Sequence, residues 1–385
     1  MIGSEGKMEK SGKLRYAMIG GGPGAFIGRV HRMALAMNGD SVLSAAVFTR
    51  DWEANRRMGA ELGVERVYGS WEELLCGEAT REDRPDFVSV CVPNHLHFPI
   101  ACAALKAGFP VMCEKPMTLS VDEAEELAQL VEKSGLKFGL MHTYTGYPML
   151  KLAHDMVASG RIGKVCKVVV EYQQGSFRKI DFSKPLDKRN RWKMDPACSG
   201  ESCCMGDIGV HAFNLIEYVA GLKTVSILAD VASFAPGNPL DDDGTVLLRF
   251  ENGAKGVIIS SKVATGEENG LRLKIYGEKR SLVWEQERPD RLRELAQLEP
   301  ERVWKRGNAY VADISPEAAR WVKVPAGHPE GFIEAMASHY AAFCADLRND
   351  LQHGDYPTVE DGVRGVRFVA ATVRSSSEGA QWVGL

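Results

Sequence analysis

The chain has 385 residues, of which 45% are apolar and 25% charged, and a net charge of −4. This is the make-up of a folded globular protein of two or three domains, not of a disordered, collagen-like or coiled-coil chain. The near-neutral balance supplies no global positive field to hold nucleic acid or an anionic membrane. No apolar run approaches the roughly eighteen residues that a membrane helix needs.

The opening segment, MIGSEGKMEKSGKLR, has no continuous apolar stretch. It predicts a frayed leader over residues 1–14 and no secretory signal, with Met8 as a candidate start. The nine cysteines are odd in number, lie mostly in apolar runs and form neither a C-x-x-C pair nor a zinc spacing. They predict reduced thiols in a cytoplasm.

From residue 15 strand and helix patterns alternate. RYAMIGG (15–21), SVLSAAVFT (41–49), DFVSVCVP (86–93), PVMCEKP (110–116) and KFGLMHTY (137–144) read as strands, with a short one near Arg66–Tyr68. Helical spacing marks 26–39, 51–63 with Asp51 as N-cap, 97–108 with Gly108 just past its end, and 120–135. Strands this apolar, separated by helices, predict a parallel sheet covered on both faces.

The rhythm changes near residues 143–147. A helix at 147–160 is followed by strands at 165–175, 224–234, 244–250, 256–264 and 271–277 that read as antiparallel, with a hairpin signal at Asn252-Gly253. Helices are expected at 206–221, 330–349 and 359–376. Ile258, Val263, Leu271 and Ile275 lie in strands that are apolar at both parities. They predict a sheet buried on both sides and a homo-oligomer, dimer or tetramer, formed through it.

IGGGPGAFIG (19–28) lies where the first strand meets the first helix. In that context glycines let the backbone approach a pyrophosphate, whose charge the helix N-terminus favours. Gly20 and Gly22 fit the first two fingerprint positions, and the third falls on Gly28 or, read literally, on Ala25. The loop adds Phe26 and Ile27 to the cofactor wall. The second strand ends at Thr49-Arg50 instead of an acid that would accept from a ribose 2′-hydroxyl. Asp40 precedes the strand and Asp51 is better placed to cap a helix. The cofactor expected is NAD or NADP, with NADP slightly preferred.

Glu114-Lys115-Pro116 ends the fifth strand, at the sheet edge where ligands bind in such folds. Pro93, Asn94, His95 and His97 follow the fourth strand. Asn94 and His95 face the cofactor or substrate pocket in this reading. In GDIGVH, Asp207 and His211 are four residues apart at a helix start and share a face, which suits a proton acceptor and its orienter. His95-x-His97 offers two ligands only, so no metal is expected.

Together these segments resemble the glucose–fructose oxidoreductase, inositol dehydrogenase and rhizopine-catabolism (Gfo/Idh/MocA) family. The motifs are Gly28-x-x-His31-x-x-Ala34, PNHLH (93–97), Glu114-Lys115-Pro116 and Gly206-Asp207-x-Gly209-x-His211, and GPGAFIG, HTYTGYP (142–148) and HPEGF (328–332) point to one subgroup. The resemblance implies an α/β architecture: an N-terminal Rossmann doubly wound parallel sheet over 1–144, then a C-terminal α+β domain with an open, mainly antiparallel sheet over 145–385. It implies Lys115, Asp207 and His211 as the catalytic set and Pro93, Asn94, His97, Glu114 and Lys115 beside the cofactor. Two positions depart from the family: Thr49 replaces the strand-two acid, and Tyr144-Thr145-Gly146 stands where many members have arginine.

His211 is the expected base for a secondary alcohol, with Lys115 stabilising the alkoxide and Asp207 positioning substrate or imidazole. Residues 178–193 hold seven basic and two acidic side chains. Arg178, Arg191 or Lys193 would grip an anionic substituent on a sugar, with Trp192 stacking on the ring; a solvated loop is the plainer reading. Tyr144 and His95 complete the substrate wall. Three functions follow: a sugar or polyol dehydrogenase or reductase, a glycosidase that oxidises its sugar transiently, and a non-catalytic nucleotide-binding sensor. The intact catalytic set favours the first.

Overall fold

The computed structural model describes residues 12–182, 184, 186, 191–348 and 355–385. Residues 1–11, with Met8 and most of the expected leader, lie outside them, as does part of the basic segment 178–193.

The expected alternation is present as β1 (Leu14–Gly20), α1 (Phe26–Asn38), β2 (Ser41–Val47), α2 (Trp52–Glu61), β3 (Arg66–Val67), α3 (Trp71–Ala79), β4 (Phe87–Cys91), α4 (His97–Lys106), β5 (Val111–Glu114), α5 (Val121–Ser134) and β6 (Phe138–Met141). All six strands are parallel, in the order β3-β2-β1-β4-β5-β6. β4 and β5 are buried at every residue, which is why their apolar residues do not alternate. The order reverses between β1 and β4, so the crevice at their carboxyl ends is the natural ligand site. Asp51, Ser70 and Ser120 accept from backbone N–H groups at the starts of α2, α3 and α5. Such caps contribute about 1 kcal/mol each. α1 starts at Ala25 with no side-chain cap.

The second half adds α6 (Pro148–Ala158), β7 (Val165–Gln173), α7 (Val210–Ala220), β8 (Thr224–Ala232), β9 (Asp243–Phe250), β10 (Lys255–Ser261), β11 (Gly270–Gly277), β12 (Arg280–Glu285), β13 (Arg291–Ala296), β14 (Arg302–Lys305), α8 (Phe332–Leu347), α9 (Val359–Ser377) and β15 (Val383–Gly384). Its nine-stranded sheet has the order β14-β13-β12-β11-β7-β10-β9-β8-β15. The antiparallel expectation needs one correction: β7 and β10 are parallel. After β7 the chain crosses over through α7 and then meanders through β8 and β9, so β10 returns beside β7 in the same direction. Asn252-Gly253 turns the β9–β10 hairpin, with Gly253 at φ 85°.

Ile258, Leu271 and Ile275 are fully buried and Val263 nearly so within the single chain. Their burial therefore needs no second subunit, because helices α6 and α7 share the core of that face. The C-terminal helices tie the two halves together. Met336, Tyr340 and Phe343 of α8 share a core with Tyr16, Met18 and Phe87. In α9, Val359 and Val366 join the first sheet's core while Phe368 stacks on Phe213 of α7. All nine cysteines are unpaired. No described helix is long and apolar enough to cross a membrane.

Candidate active site

The glycine turn is shaped by contacts that no side chain would allow. A Cβ on Gly20 would lie 2.1 Å from the Cys91 carbonyl oxygen, one on Gly22 2.6 Å from that of Phe48, and one on Gly28 2.2 Å from Gly21 Cα. Gly28 thus sets the approach of α1 to the turn, while Ala25 is its N-cap. The first turn of α1 has neither a side-chain cap nor an acid, so its N–H groups are left to an anion. These features fit a dinucleotide pyrophosphate. Phe26 is exposed and stacks on Phe332 at the start of α8, 6.5 Å between centroids; Ile27 packs into the core shared with α8. Thr49 is half-buried, with its hydroxyl accepting from the Asp51 N–H, and Arg50 is exposed. Asp51 caps α2 through Ala54. Asp40 is drawn to Arg348, at the far end of β2.

After β4, Pro93 opens a turn in which Asn94 donates to the Ser199 carbonyl (3.2 Å). His95 is half-buried, and its Nδ1 finds no partner among the described residues. His97 uses both ring nitrogens on carbonyls, Pro116 at 2.7 Å and Val92 at 2.9 Å. It ties the turn after β4 to the turn after β5, and burial lowers its pKa.

Glu114 accepts from the Lys115 N–H (3.1 Å) and pairs with His31 Nε2 (2.8 Å). His31 Nδ1 in turn meets the Tyr340 hydroxyl at 2.6 Å. Burial opposes a charge on His31, yet Cys91 and Glu114 raise its pKa to about 10. Helix α1, the turn after β5 and α8 are thereby joined behind Lys115.

Lys115 reaches across to the second half. Its Nζ donates to Asp207 Oδ1 (2.6 Å) and to the Asp207 carbonyl (2.7 Å). Asp207 lies in a wide π-helical turn, Met205–Gly209, that precedes α7; a uniform helix was expected over 206–221. The turn is anchored by Asp241, which accepts from the N–H groups of Cys203, Cys204 and Met205, and by the Ser202 hydroxyl, which accepts from Met205 and Gly206. His211 follows at the start of α7. Its Nδ1 is 3.3 Å from His142 Nδ1, and its ring lies edge-on to Tyr144. Tyr144 bonds Tyr172 through their hydroxyls, and Asn269 donates to Tyr144 (3.3 Å) while accepting from Tyr172 (2.8 Å).

Charge in this cleft is lopsided. Loss of water would raise the Asp207 carboxyl, but the ammonium groups of Lys115, Lys262 and Lys193 outweigh it and hold it well below the usual carboxylate range. Burial pushes His211 well below the usual imidazole range, with Lys115 and His142 adding to it. Burial and Lys115 press His142 down to about 3.

Of the residues singled out in the sequence, Lys115 pairs with Asp207, and Tyr144 packs edge-on against His211. Of the basic segment, Arg178 is exposed and donates to the Val263 carbonyl (2.8 Å), and Arg191 is exposed. Trp192 is half-buried, with Lys193 Nζ 5.9 Å from its ring centroid. Among the described residues of that segment, Lys193 lies within electrostatic reach of Asp207. Sequence reading missed His142 and Lys262; HTYTGYP was noted as a segment, but nothing local singled out its histidine. No group of three metal-ligating side chains occurs among the described residues.

Two family models cover most of this chain. The model described as "Oxidoreductase family, NAD-binding Rossmann fold" matches residues 14–142, and the GFO/IDH/MocA C-terminal domain matches residues 150–283. The chain belongs to the Gfo/Idh/MocA family. It is similar to the uncharacterized oxidoreductase YfiI of Bacillus subtilis, 34% identical over 96% of each chain. Among solved structures it is similar to an inositol dehydrogenase homolog of Azotobacter vinelandii complexed with NAD+, with 33% identity, TM-score 0.92 and coverage of 97% and 98% of the two chains. A second structure of that name, complexed with NADH and myo-inositol, matches at 32% identity and TM-score 0.88, covering 97% and 98%. Like the rest of the Gfo/Idh/MocA family, the chain is an oxidoreductase of the NAD-binding Rossmann class.

Proposed function

We propose that this Gfo/Idh/MocA protein is a dehydrogenase or reductase of sugars, polyols or inositols that moves hydride between a nicotinamide and a secondary alcohol. The observation that carries the reading is the meeting of Lys115 with Asp207, beside His211, in one cleft between the two halves of the chain. Residues 1–144 are the proposed nucleotide-binding part and 145–385 the substrate-binding part. The GPGAFIG subgroup assignment is part of the same proposal.

Gly20, Gly22 and Gly28 with the open start of α1 would hold the pyrophosphate. Phe26, Ile27, Pro93, Asn94, Glu114 and the His97-tied turn would line the rest of the nucleotide. Thr49 and Arg50 would meet the ribose, and an exposed guanidinium where strand two lacks the family's terminal acid favours NADP over NAD. When bound, the nicotinamide supplies the hydride acceptor for oxidation or the donor for reduction.

The chain's own residues handle the proton and the charge. His211 is neutral at ordinary pH and takes the hydroxyl proton as the carbon–hydrogen bond breaks. Lys115 stabilises the negative charge that grows on the substrate oxygen, in a cleft where little water competes. Asp207 holds Lys115 in place. Tyr144 and His95 would contact the substrate. Lys193, more than Arg178, Arg191 or Trp192, is positioned to meet an anionic substituent. In reduction the steps reverse: His211 first takes a proton from solvent and passes it to the substrate oxygen as hydride reaches the carbon. No step calls for a metal, because Lys115 provides the cation.

Unpaired thiols suit a cytoplasmic home. The outward face of the second sheet carries a row of Val169, Val257 and Leu247 across three adjacent strands. It is the proposed homo-oligomer contact; a monomer by light scattering at micromolar concentration would remove it.

The test is reduction of NAD and of NADP across neutral and acidic sugars, inositols and glycosides, with His211→Ala beside the wild type. A signal lost in the variant supports the reading. Silence in both, or aglycone release without net cofactor reduction, overturns it in favour of a sensor or a redox-neutral glycosidase.

A further inference from the structure

Asp207 is held by two ammonium groups, and they come from opposite halves of the chain. Lys115, at the end of β5, takes Oδ1 at 2.6 Å; Lys262, just past β10, takes Oδ2 at 2.6 Å. Lys262 is almost wholly buried, with 3% of its surface exposed. Its backbone is fixed on both sides: its N–H donates to the Asp242 carbonyl (2.7 Å) and its carbonyl accepts from Phe177 (2.9 Å). Its Nζ also sits 5.0 Å from the Phe177 ring centroid. A buried ammonium costs several kcal/mol unless it is paired, and the partner given to Lys262 is the carboxylate that holds Lys115.

We propose that Lys262 is a positioning residue: it fixes the ionised Asp207 carboxylate and aims it at Lys115, so that the Lys115 ammonium stands at one place in the cleft. The geometry is the argument. Lys262 leans on a rigid strand end, Asp207 on a turn anchored by Asp241, and Lys115 on a turn anchored by Glu114 and His31, so three fixed points meet at one carboxylate. Lys115 and Lys262 contact the Asp207 carboxylate, and Lys193, His211, Cys203, Tyr144 and Tyr172 lie within its electrostatic reach. Burial keeps His211, Cys203 and both tyrosines uncharged, so Asp207 is one anion among three cations. Removing one cation raises its proton affinity, and a protonated Asp207 no longer attracts Lys115. The turnover part of this inference rests on the proposed oxidoreductase activity; the titration part does not.

The test compares the full-length wild type with Lys262→Met and Lys262→Arg. The Asp207 13Cγ resonance is followed against pH in aspartate-labelled protein and assigned by its loss in Asp207→Asn; kcat and KM are measured in parallel. The expected result for Lys262→Met is a carboxylate midpoint that moves up by about one unit, and kcat lower by about 10- to 100-fold with KM within about threefold. Lys262→Arg should restore both in part. An unmoved midpoint with kcat within about twofold of wild type overturns the proposal, as does a loss confined to KM, which would make Lys262 a substrate contact. If Lys262→Met does not fold by thermal melting, Lys262→Gln and Lys262→Arg decide on the same readouts. If the wild type turns over none of the substrates tried, the oxidoreductase reading fails, and the titration still decides for or against Lys262.

Discussion

His142 Nδ1 and His211 Nδ1 are 3.3 Å apart, with the two rings nearly perpendicular. Both rings are neutral, so one nitrogen must donate and the other accept. For His211 Nε2 to receive a proton, its Nδ1 carries the hydrogen and donates to His142. His142 is then protonated at Nε2, the buried nitrogen that finds no partner among the described residues. His142 thus selects the tautomer of the proposed base, a role that in other enzymes falls to a carboxylate. His142→Ala should lower kcat by about 10- to 100-fold with little change in KM, whereas His142→Asn, which keeps an acceptor, should lose less. Steady-state kinetics of the two variants checks this; equal losses would remove the tautomer role.

The low proton affinity of His211 has a measurable sign. A group with a depressed pKa stays unprotonated as pH falls through the ordinary imidazole range near 6.5. For oxidation, which needs neutral His211, kcat/KM should therefore stay level from pH 8 through 6.5 and fall only in more acidic solution. A pH profile of kcat/KM shows whether the acid limb lies below that range or within it. His211→Ala should cost about 10²- to 10⁴-fold in kcat while leaving NAD(P)H fluorescence on binding intact.

Gly28 and Gly24 separate two reasons for glycine. A Cβ on Gly28 would meet the Gly21 backbone, whereas one on Gly24, at φ 77°, meets nothing within 4 Å. Gly28→Ala must move α1 away from the turn, at a cost of about 1–3 kcal/mol, and should weaken cofactor binding as well. Gly24→Ala carries only backbone strain of about 1–2 kcal/mol. Denaturant unfolding and cofactor titration of the two variants distinguish them.

Arg50 is the expected discriminator of the 2′-phosphate. Arg50→Ala should reduce kcat/KM with NADP by about tenfold, the scale of one exposed charge-assisted contact, and leave that with NAD within about twofold. Equal effects on both cofactors would make Arg50 a solvated turn residue.

The first half was legible because its apolar strands alternate with segments of clear helical spacing, and Asp51 caps α2 as its position suggests. The strands β12, β13 and β14 were not. They are short and rich in arginine (Arg280, Arg291, Arg293, Arg302), and each pairs with the strand before it in an antiparallel series that starts from β11. Lys115, Asp207 and His211 could be read because they sit in short motifs with fixed spacing. Lys262 stands at the end of a strand in no motif, His142 heads a segment that marked only a subgroup, and their meaning comes from chain segments 55 and 69 residues away. In the basic segment the sequence offered Arg178, Arg191 and Lys193 alike, and it is Lys193 that comes within electrostatic reach of Asp207.

The most direct measurement follows deuterium on the transferred hydride. Reduced nicotinamide cofactor labelled at C4 is supplied with keto-sugars and inososes, and the products are read by mass spectrometry and NMR. The account predicts one deuterium on the new carbinol carbon for each cofactor oxidised, and its loss in His211→Ala. Cofactor that binds but is never consumed, or solvent hydrogen appearing on the neighbouring carbon with no net oxidation, would contradict it.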